Sequence, residues 1–160
     1  MTKNDTKSAD ENKTVSGIDL RKKRSLVFHF LYAMDSLGYD TTLDSVIDNF
    51  NRGFDLSVEV DGEIAKIVQG IIANKDEIDV LIKPFLENWR IERIGCCTML
   101  ILRYACWELL YTDMPVNIVI NEAIELSKGF CEKDAYKFVN GVLDEVQKAL
   151  PDLRKQIQTK

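Results

Sequence analysis

The sequence predicts an all-α protein. Apolar residues recur three and four positions apart in several segments, which places them on one face of a helix. No segment alternates convincingly between apolar and polar residues, as a half-buried strand does. The three prolines and most glycines lie near the ends of the periodic segments. Seven predicted helices with short links favour either one compact bundle or two bundles that share a helix.

Four apolar sets with this spacing predict the first four helices. Asp19 is placed to cap the first helix, and Thr41 with Asp44 resembles the capping box of the second. Ser57 is placed to cap the third helix, and Asn74 marks the break before the fourth. The four sets are Val27, Phe30, Leu31 and Met34; Leu43, Val46, Ile47 and Phe50; Ile64, Ile67, Val68 and Ile71; and Ile78, Leu81, Ile82 and Phe85.

The most apolar predicted helix runs from about residue 94 to 111. A helix that is apolar nearly all round is usually enclosed by other helices. Its only charged residues are Arg103 and Glu108. We expect both to make buried polar contacts with other helices, because an unpaired charge in such a place is costly.

Two further helices and two tails complete the predicted organisation. Pro115 suits the start of a helix that reaches about residue 130, and a last helix spans roughly 133–150. Residues 1–17 are polar, mixed in charge and without periodicity, which predicts a flexible tail. The helical domain is then 18–150, and 151–160 form a C-terminal tail that starts at a helix-ending proline.

Composition and charge limit the function classes. The hydrophobic fraction of 46% and the charged fraction of 29% are those of an ordinary globular protein. No apolar run approaches the roughly 20 residues that a membrane-spanning helix needs, and the N-terminal segment lacks the apolar core of a signal peptide, so we expect a cytoplasmic protein without a membrane partner. A net charge of −5 disfavours general nucleic-acid binding, although a local cluster of cations can override it.

Metal binding and catalysis find little support in the sequence. The four cysteines, Cys96, Cys97, Cys106 and Cys131, contain no CxxC pair, and His29 is the only histidine. There is no glycine-rich phosphate loop, no GxSxG motif and no Cys/His pair that periodicity would bring together. We therefore expect no metal, no cofactor and no catalytic residue.

Four adjacent cations stand at the predicted start of the first helix: Arg21, Lys22, Lys23 and Arg24. The N-terminal end of a helix carries partial positive charge and repels each cation by roughly 0.3–1 kcal/mol, so helix stability does not explain them. Together with the free amides of a first helical turn they would form a site for phosphates. The alternative is a solvated run of charge.

A second candidate element lies near the start of the last helix. Lys137 precedes Phe138, and an exposed Phe beside a Lys suits the stacking of bases of single-stranded nucleic acid. Ala135, Phe138 and Val142 are nevertheless spaced like core residues, which favours burial of the ring. Gly141 in mid-helix indicates that something packs close to the backbone there.

Three longer motifs point to a known family. They are "LRYACWELL" (102–110), "MPVNIVINEAIELSKGF" (114–130) and "KFVNGVLDEV" (137–146), and INEAIEL followed by KFVNGVL at this spacing is a specific signature. The basic run followed by "FHFLY" adds to the match. From about Leu20 to Leu150 the sequence resembles the bacterial transcription antitermination factor NusB family. The resemblance implies an all-helical fold of two small bundles packed as one compact domain, without enzymatic activity.

The resemblance also implies partners. Proteins of this family bind the boxA element of ribosomal RNA leader transcripts together with NusE, a small-subunit ribosomal protein, and join elongating RNA polymerase with other Nus factors. By resemblance, the basic run would hold RNA phosphates, and three residues near the last helix would help to read the RNA. These residues are Arg21, Lys22, Lys23 and Arg24 in the basic run, and Asp134, Lys137 and Phe138 near the last helix.

The predicted NusE surface rests on two positions. Tyr32 would lie on the NusE-facing surface, and Thr98 stands where some members of the family place an acidic residue that contacts NusE. A shared RNA face would require the first and last helices to be neighbours. A homodimer that hides this face in the free protein is left open by the sequence.

Two other functions remain open at this stage. A purely protein-binding helical adaptor would tolerate loss of the cations but not of Tyr32 and its surroundings. Similar helical domains also occur in ribosomal RNA cytosine methyltransferases. Because 160 residues leave no room for the cofactor-binding domain of such an enzyme, we expect the chain to correspond at most to its RNA-binding part.

Overall fold

The chain folds into helices throughout the part that the structure describes. The structure is a computed structural model and describes residues 11–89 and 93–159, with side chains from residue 20 onward. These residues form seven helices and no strand: α1 (Glu11–Ser36), α2 (Leu43–Phe54), α3 (Glu63–Ala73), α4 (Lys75–Leu86), α5 (Cys96–Tyr111), α6 (Val116–Phe130) and α7 (Ala135–Gln158). The all-α prediction is confirmed. None of the described helices is long and apolar enough to cross a membrane.

Helix α5 is the centre of the fold, as its nearly uniform apolar sequence predicts. Helix α1 packs against α2, α3 and α5, and α3, α4, α6 and α7 also pack against α5. The helices α6 and α7 also pair closely with each other. Ten residues of α5 are buried, including Leu100, Leu102 and Leu109. Two small groups of helices therefore share α5, and their apolar faces form one core.

The charges of α5 are both paired with neighbouring helices. Arg103 donates two hydrogen bonds to the Asp79 carboxylate of α4, at 2.7 and 2.9 Å. Glu108 accepts two from Arg24 of α1. The expectation of buried polar contacts is confirmed for Glu108, whereas the contact of Arg103 is only half-buried. Each contact fixes one neighbouring helix against the central one.

The ends of α2 and α3 differ from the predicted caps. The hydroxyl of Thr42, rather than Thr41, accepts the N–H of Ser45 at 3.2 Å and caps α2. Gly62, rather than Ser57, precedes α3. The reason for the later start of α3 is the intervening loop, in which the Asn51 side chain donates to the Val58 carbonyl and accepts the Val58 N–H, and a turn from Glu59 to Gly62 follows before the helix begins. Asn74 separates α3 from α4 as predicted.

The first helix starts earlier than predicted. It begins at Glu11, so residues 11–17 of the predicted tail are helical and Asp19 is not its cap. The first ten residues of that tail lie outside the described residues. Because residues 21–24 lie in the interior of α1, their amides belong to the helix, and the predicted contribution of free first-turn amides to a phosphate site is wrong.

The last helix continues through Pro151 to Gln158, and the predicted tail from residue 151 is therefore helical over most of its length. Proline in a helix removes one backbone hydrogen bond, which ordinarily ends the helix. Here the following turns are held by packing, because Leu150 and Leu153 are buried against the core. Arg154 also donates two hydrogen bonds to the Leu109 carbonyl, at 2.8 and 3.2 Å, in the last turn of α5.

Candidate nucleic-acid interface

The four adjacent cations of α1 occupy different environments. Arg21 and Lys22 are exposed, Lys23 is half-buried and forms an ion pair with Glu63 of α3, and Arg24 is buried. The helix turns by about 100° per residue, so four consecutive side chains necessarily point in different directions. Only Arg21 and Lys22 among the four present their charge freely on the described surface.

Arg24 is a structural residue and not a phosphate contact. Only 4% of it is exposed, and its two terminal nitrogens donate to the two oxygens of Glu108 at 2.7 Å each. Its guanidinium also lies 5.3 Å from the ring centre of Tyr104. The prediction that Arg24 binds RNA phosphate therefore has to be corrected, because its donors are directed at α5.

The Arg24–Glu108 pair titrates as a buried, hydrogen-bonded pair. Burial is the largest single influence on the pKa of Arg24 and acts to lower it, but the hydrogen bonds to Glu108 and the charges of nearby acidic groups together outweigh burial, so the pKa is raised. Burial raises the pKa of Glu108 in spite of the two donors from Arg24. The Nε of Arg24 has no hydrogen-bond partner, so the pair is not fully satisfied.

The second predicted element lies at the turn from α6 to α7. Asp134 adopts the left-handed conformation (φ 69°) directly before α7, and its carboxylate lies 3.5 Å from the Lys137 ammonium. Lys137 is exposed, and its ammonium lies 6.0 Å from the ring centre of Tyr136. A second ammonium, that of Lys128, lies 5.1 Å from the same ring. Two exposed lysines thus lie close to the half-buried ring of Tyr136.

Phe138 is half-buried and has an aromatic partner. Its ring meets that of Trp89 edge to face, with ring centres 4.9 Å apart. Both rings line an open cleft of about 380 Å³, together with Arg93, Thr98 and Asp134. Of the two alternatives left open by the sequence, an exposed stacking ring and a ring buried in the core, neither holds in full, because Phe138 is half-buried in the wall of a cleft.

Trp89 is a residue that sequence reasoning missed. It follows α4 and contacts α7, which no periodic pattern within either helix predicts. One signal was present: Gly141 indicated a close approach to the backbone of α7. A Cβ added at Gly141 would lie 3.9 Å from the Trp89 indole, which is ordinary contact.

The two candidate RNA elements are not in direct contact through their helices. The first and last helices do not pack extensively against each other in the described part of the chain, and each packs against α5. The end of α6 bridges them, because Phe130 stacks on Phe28 of α1 at 4.7 Å and meets the His29 ring at 5.0 Å. Burial lowers the pKa of His29. The close pairing of α1 and α7 that a shared RNA face would require is therefore not found among the described helices, and α6 contacts both of them.

The two predicted NusE positions differ in exposure. Tyr32 is 45% exposed on α1, whereas Thr98 is only 6% exposed at the edge of the cleft. Thr98 can offer little surface to a partner in this conformation.

The cysteines are unpaired thiols, and no group of three potential metal ligands occurs among the described residues. The thiol of exposed Cys96 lies 3.1 Å from the Asp35 carboxylate, and burial together with that carboxylate raises its pKa to about 11. A thiol with a raised pKa is a poor nucleophile and a poor metal ligand at neutral pH.

Comparison with known proteins identifies the family. The sequence profile described as the NusB family matches residues 21–148, which is most of the chain. The chain belongs to the NusB family. The predicted resemblance is thereby confirmed over nearly the range that the motifs indicated.

Individual relatives agree with the assignment. The transcription antitermination protein NusB of Geotalea daltonii is 40% identical over 139 residues, which cover 82% of this chain and 96% of the relative. The protein of the same description from Staphylococcus aureus is 35% identical over 129 residues, which cover 80% of this chain and 98% of the relative. These relatives are described as regulators of transcription and not as enzymes, so the expectation of a non-enzymatic NusB-family protein is confirmed.

Solved structures confirm the fold. T. maritima NusB superposes with a TM-score of 0.66 at 30% identity, covering 80% of this chain and 89% of that one. A chain from a crystal structure of a plectonemic RNA supercoil superposes with a TM-score of 0.67 at 29% identity, and the match covers 81% of this chain and 94% of that chain. The seven-helix arrangement is therefore the NusB fold.

Proposed function

We propose that this NusB-family protein binds boxA RNA of ribosomal RNA leader transcripts together with NusE and acts on elongating RNA polymerase as an antitermination factor in the cytoplasm. The observation that carries the proposal is membership of the NusB family over residues 21–148, with relatives described as transcription antitermination proteins. One chain of similar fold comes from a crystal structure of an RNA, which is consistent with an RNA ligand.

The surface supports two separate roles in RNA binding, contact with phosphates and contact with bases. Arg21 and Lys22 are the cations of the α1 run that are free to contact phosphates, and Lys23 can join them only if its ion pair with Glu63 opens. At the α6–α7 turn, Lys137 supplies a further exposed charge beside the Phe138 cleft. A single strand that crosses the end of α6 would meet both elements in turn. Phosphate contacts position such a strand, and the cleft contacts its bases.

The rest of the surface suits a basic protein partner. The chain carries a net charge of −5 in spite of its basic run, so its overall charge favours cationic partners and disfavours general binding of nucleic acid. Tyr32 is exposed on α1, in a part of the helix that lies beyond the cations. An acidic adaptor with one RNA-binding strip can thus recruit a basic ribosomal protein such as NusE without binding RNA everywhere.

The direct test is a salt titration of binding to a short boxA RNA and to a scrambled RNA, with and without NusE. We expect tighter binding of boxA, strengthening by NusE, and an affinity that falls linearly with the logarithm of salt concentration. Equal and weak binding of both RNAs in every condition would contradict the proposal. That result would favour the purely protein-binding adaptor.

The cationic strip is tested with the double variant Arg21→Glu, Lys22→Glu. We expect a steep loss of boxA affinity and a shallower salt dependence, with unchanged helical content by circular dichroism, because both side chains are exposed. The control variant, Lys83→Glu with Lys155→Glu, makes the same change of net charge at exposed positions of α4 and α7. Equal losses in the two double variants would show that net charge alone, and not this strip, governs binding.

A further inference from the structure

The cleft at the α6–α7 turn has one wall that the family resemblance does not assign. Trp89 leaves 45% of its surface exposed, a large fraction for the largest aromatic side chain. It shares the cleft with Asp134 and Phe138, two of the three residues near the last helix to which the resemblance assigns a part in reading RNA. The volume of about 380 Å³ lies within the range of sites that enclose small organic groups.

The indole of Trp89 is held in place before any ligand arrives. Its backbone N–H donates to the Leu86 carbonyl at 2.9 Å, which fixes the turn after α4. Its ring meets Phe138 edge to face and lies in van der Waals range of the position of a Cβ on Gly141, one helical turn further along α7. An aromatic surface that is already immobilised loses little side-chain entropy when a flat group stacks on it.

The rim of the cleft carries the polar groups that a nucleotide needs. Arg93 and Lys133 are exposed cations that can contact phosphates on either side of a base. Glu132 and Asp134 carry carboxylates that can accept hydrogen bonds from the amino groups of a base. Aromatic walls, cationic ends and a few acceptors together match one nucleotide of a single strand better than an apolar peptide side chain.

We propose that Trp89 supplies the aromatic face on which one unstacked base of single-stranded RNA lies in the Trp89–Phe138 cleft. The inference rests on the proposed RNA-binding function and adds a residue to it. Phe138 then acts chiefly as a positioning residue, because its ring is half-buried and braces the indole edge to face. Stacking on the indole does not by itself select one base over another. The carboxylates of the rim discriminate between bases through hydrogen bonds.

The simpler alternative is that Trp89 only covers Phe138. Two substitutions separate the alternatives: Trp89→Leu keeps an apolar cover but has no aromatic face, and Trp89→Phe keeps a smaller aromatic face. Trp107→Phe is the matched control, because Trp107 is the other tryptophan of the chain and lies against Gly70 of α3 instead of the cleft. Thermal unfolding of each variant establishes that it is folded at the temperature of the binding assay.

We expect Trp89→Leu to weaken binding of the boxA oligomer about fivefold or more, the lower end of the loss that follows removal of a base–aromatic stack. Trp89→Phe should retain most of the affinity, and Trp107→Phe should retain all of it. In the Trp107→Phe protein, in which Trp89 is the sole tryptophan, added RNA should quench the intrinsic fluorescence. Full affinity of folded Trp89→Leu, or fluorescence that RNA leaves unchanged, overturns the proposal.

The outcomes also distinguish this inference from the proposed function. If the wild-type protein binds boxA and loses affinity on reversal of Arg21 and Lys22, but Trp89→Leu binds normally, only the role of Trp89 is wrong. If the wild-type protein binds neither boxA nor scrambled RNA, with or without NusE, the proposed function fails and the inference fails with it.

Discussion

The two tryptophans of the chain each lie against a glycine of a neighbouring helix, and the difference between them separates the closed part of the molecule from its open part. A Cβ added at Gly70 would lie 2.8 Å from the Trp107 indole, so this contact leaves no space. A Cβ added at Gly141 would lie 3.9 Å from the Trp89 indole, and Trp89 opens into a cleft. A tryptophan against a glycine is therefore part of the closed packing at Trp107, whereas at Trp89 the indole remains available for a ligand.

The arginines of α1 repeat this contrast. Arg24 is enclosed between α1 and α5 and bonded to Glu108, whereas Arg21 one turn earlier is exposed. Desolvation commits the first to a single partner, since an unpaired charge there is costly. Solvation leaves the second free to exchange partners. Residue type therefore does not decide between structure and binding in this molecule, and the surroundings do.

Breaking the buried pair of Arg24 and Glu108 should give the largest loss of stability. Glu108→Gln leaves the Arg24 guanidinium buried without a counter-charge, and we expect the free energy of unfolding to fall by about 3–5 kcal/mol. Urea unfolding followed by circular dichroism measures it. The double variant Arg24→Met, Glu108→Leu removes both charges and should recover most of the loss. A loss below about 1 kcal/mol in Glu108→Gln would show that the pair is solvated in the folded protein.

The two glycine contacts give the next largest effect. Gly70→Ala forces Trp107 or α3 to shift, and we expect a loss of about 1–3 kcal/mol in the free energy of unfolding. Gly141→Ala is the matched variant, in which the new methyl group makes ordinary contact and helix propensity improves by up to about 1 kcal/mol. Thermal unfolding of both variants measures the difference. Equal stabilities would remove the distinction between a closed and an open tryptophan.

The contact of Arg154 with the end of α5 gives a smaller effect. Arg154→Ala removes both donors to the Leu109 carbonyl, and we expect a loss of about 1 kcal/mol or somewhat more, typical of a hydrogen bond from a charged group. Lys155→Ala is the control, because Lys155 is an exposed neighbour in the same turn. Chemical unfolding that does not distinguish the two variants would show that the last turns of α7 contribute nothing through this bond.

The smallest effect on stability is the pH dependence that His29 contributes where α1 meets α6. Its pKa is lowered by burial, so between its ordinary value of 6.5 and the lowered value the unfolded chain binds more protons than the folded one. Stability therefore falls as pH drops from neutrality through this window. Comparison of wild type and His29→Gln at pH 7 and pH 5.5 isolates the contribution, and a steeper loss in the variant would contradict it.

Periodicity predicted most of the fold, because the apolar sets of the first four helices and the apolar α5 are local patterns. It was wrong at Pro151, where the burial of Leu153 and the contact of Arg154 with α5 outweigh the loss of one backbone hydrogen bond. Such compensation depends on contacts between residues far apart in the sequence. A local rule about proline cannot include them.

The candidate site was less predictable for the same reason. Arg24 lies three positions before Val27 and seven before Leu31, so the spacing already placed it on the apolar face, and Glu108 was the only acid in the most apolar helix. The adjacency of the four cations in the sequence nevertheless suggests one cluster, although successive side chains of a helix point in different directions. Trp89 belongs to no periodic pattern, since it lies in a turn and its partner is on another helix, and Gly141 gave the one signal of the contact.

The buried pair of Arg24 and Glu108 also sets an order of events during synthesis. The two residues are 84 positions apart, so the ribosome makes α1 long before it makes the carboxylate that α1 requires. Until α5 emerges, Arg24 stays hydrated on the nascent chain and α1 has only α2 and α3 as partners. The first three helices can gather early, but α1 acquires its final orientation only when the second half of the protein has been translated.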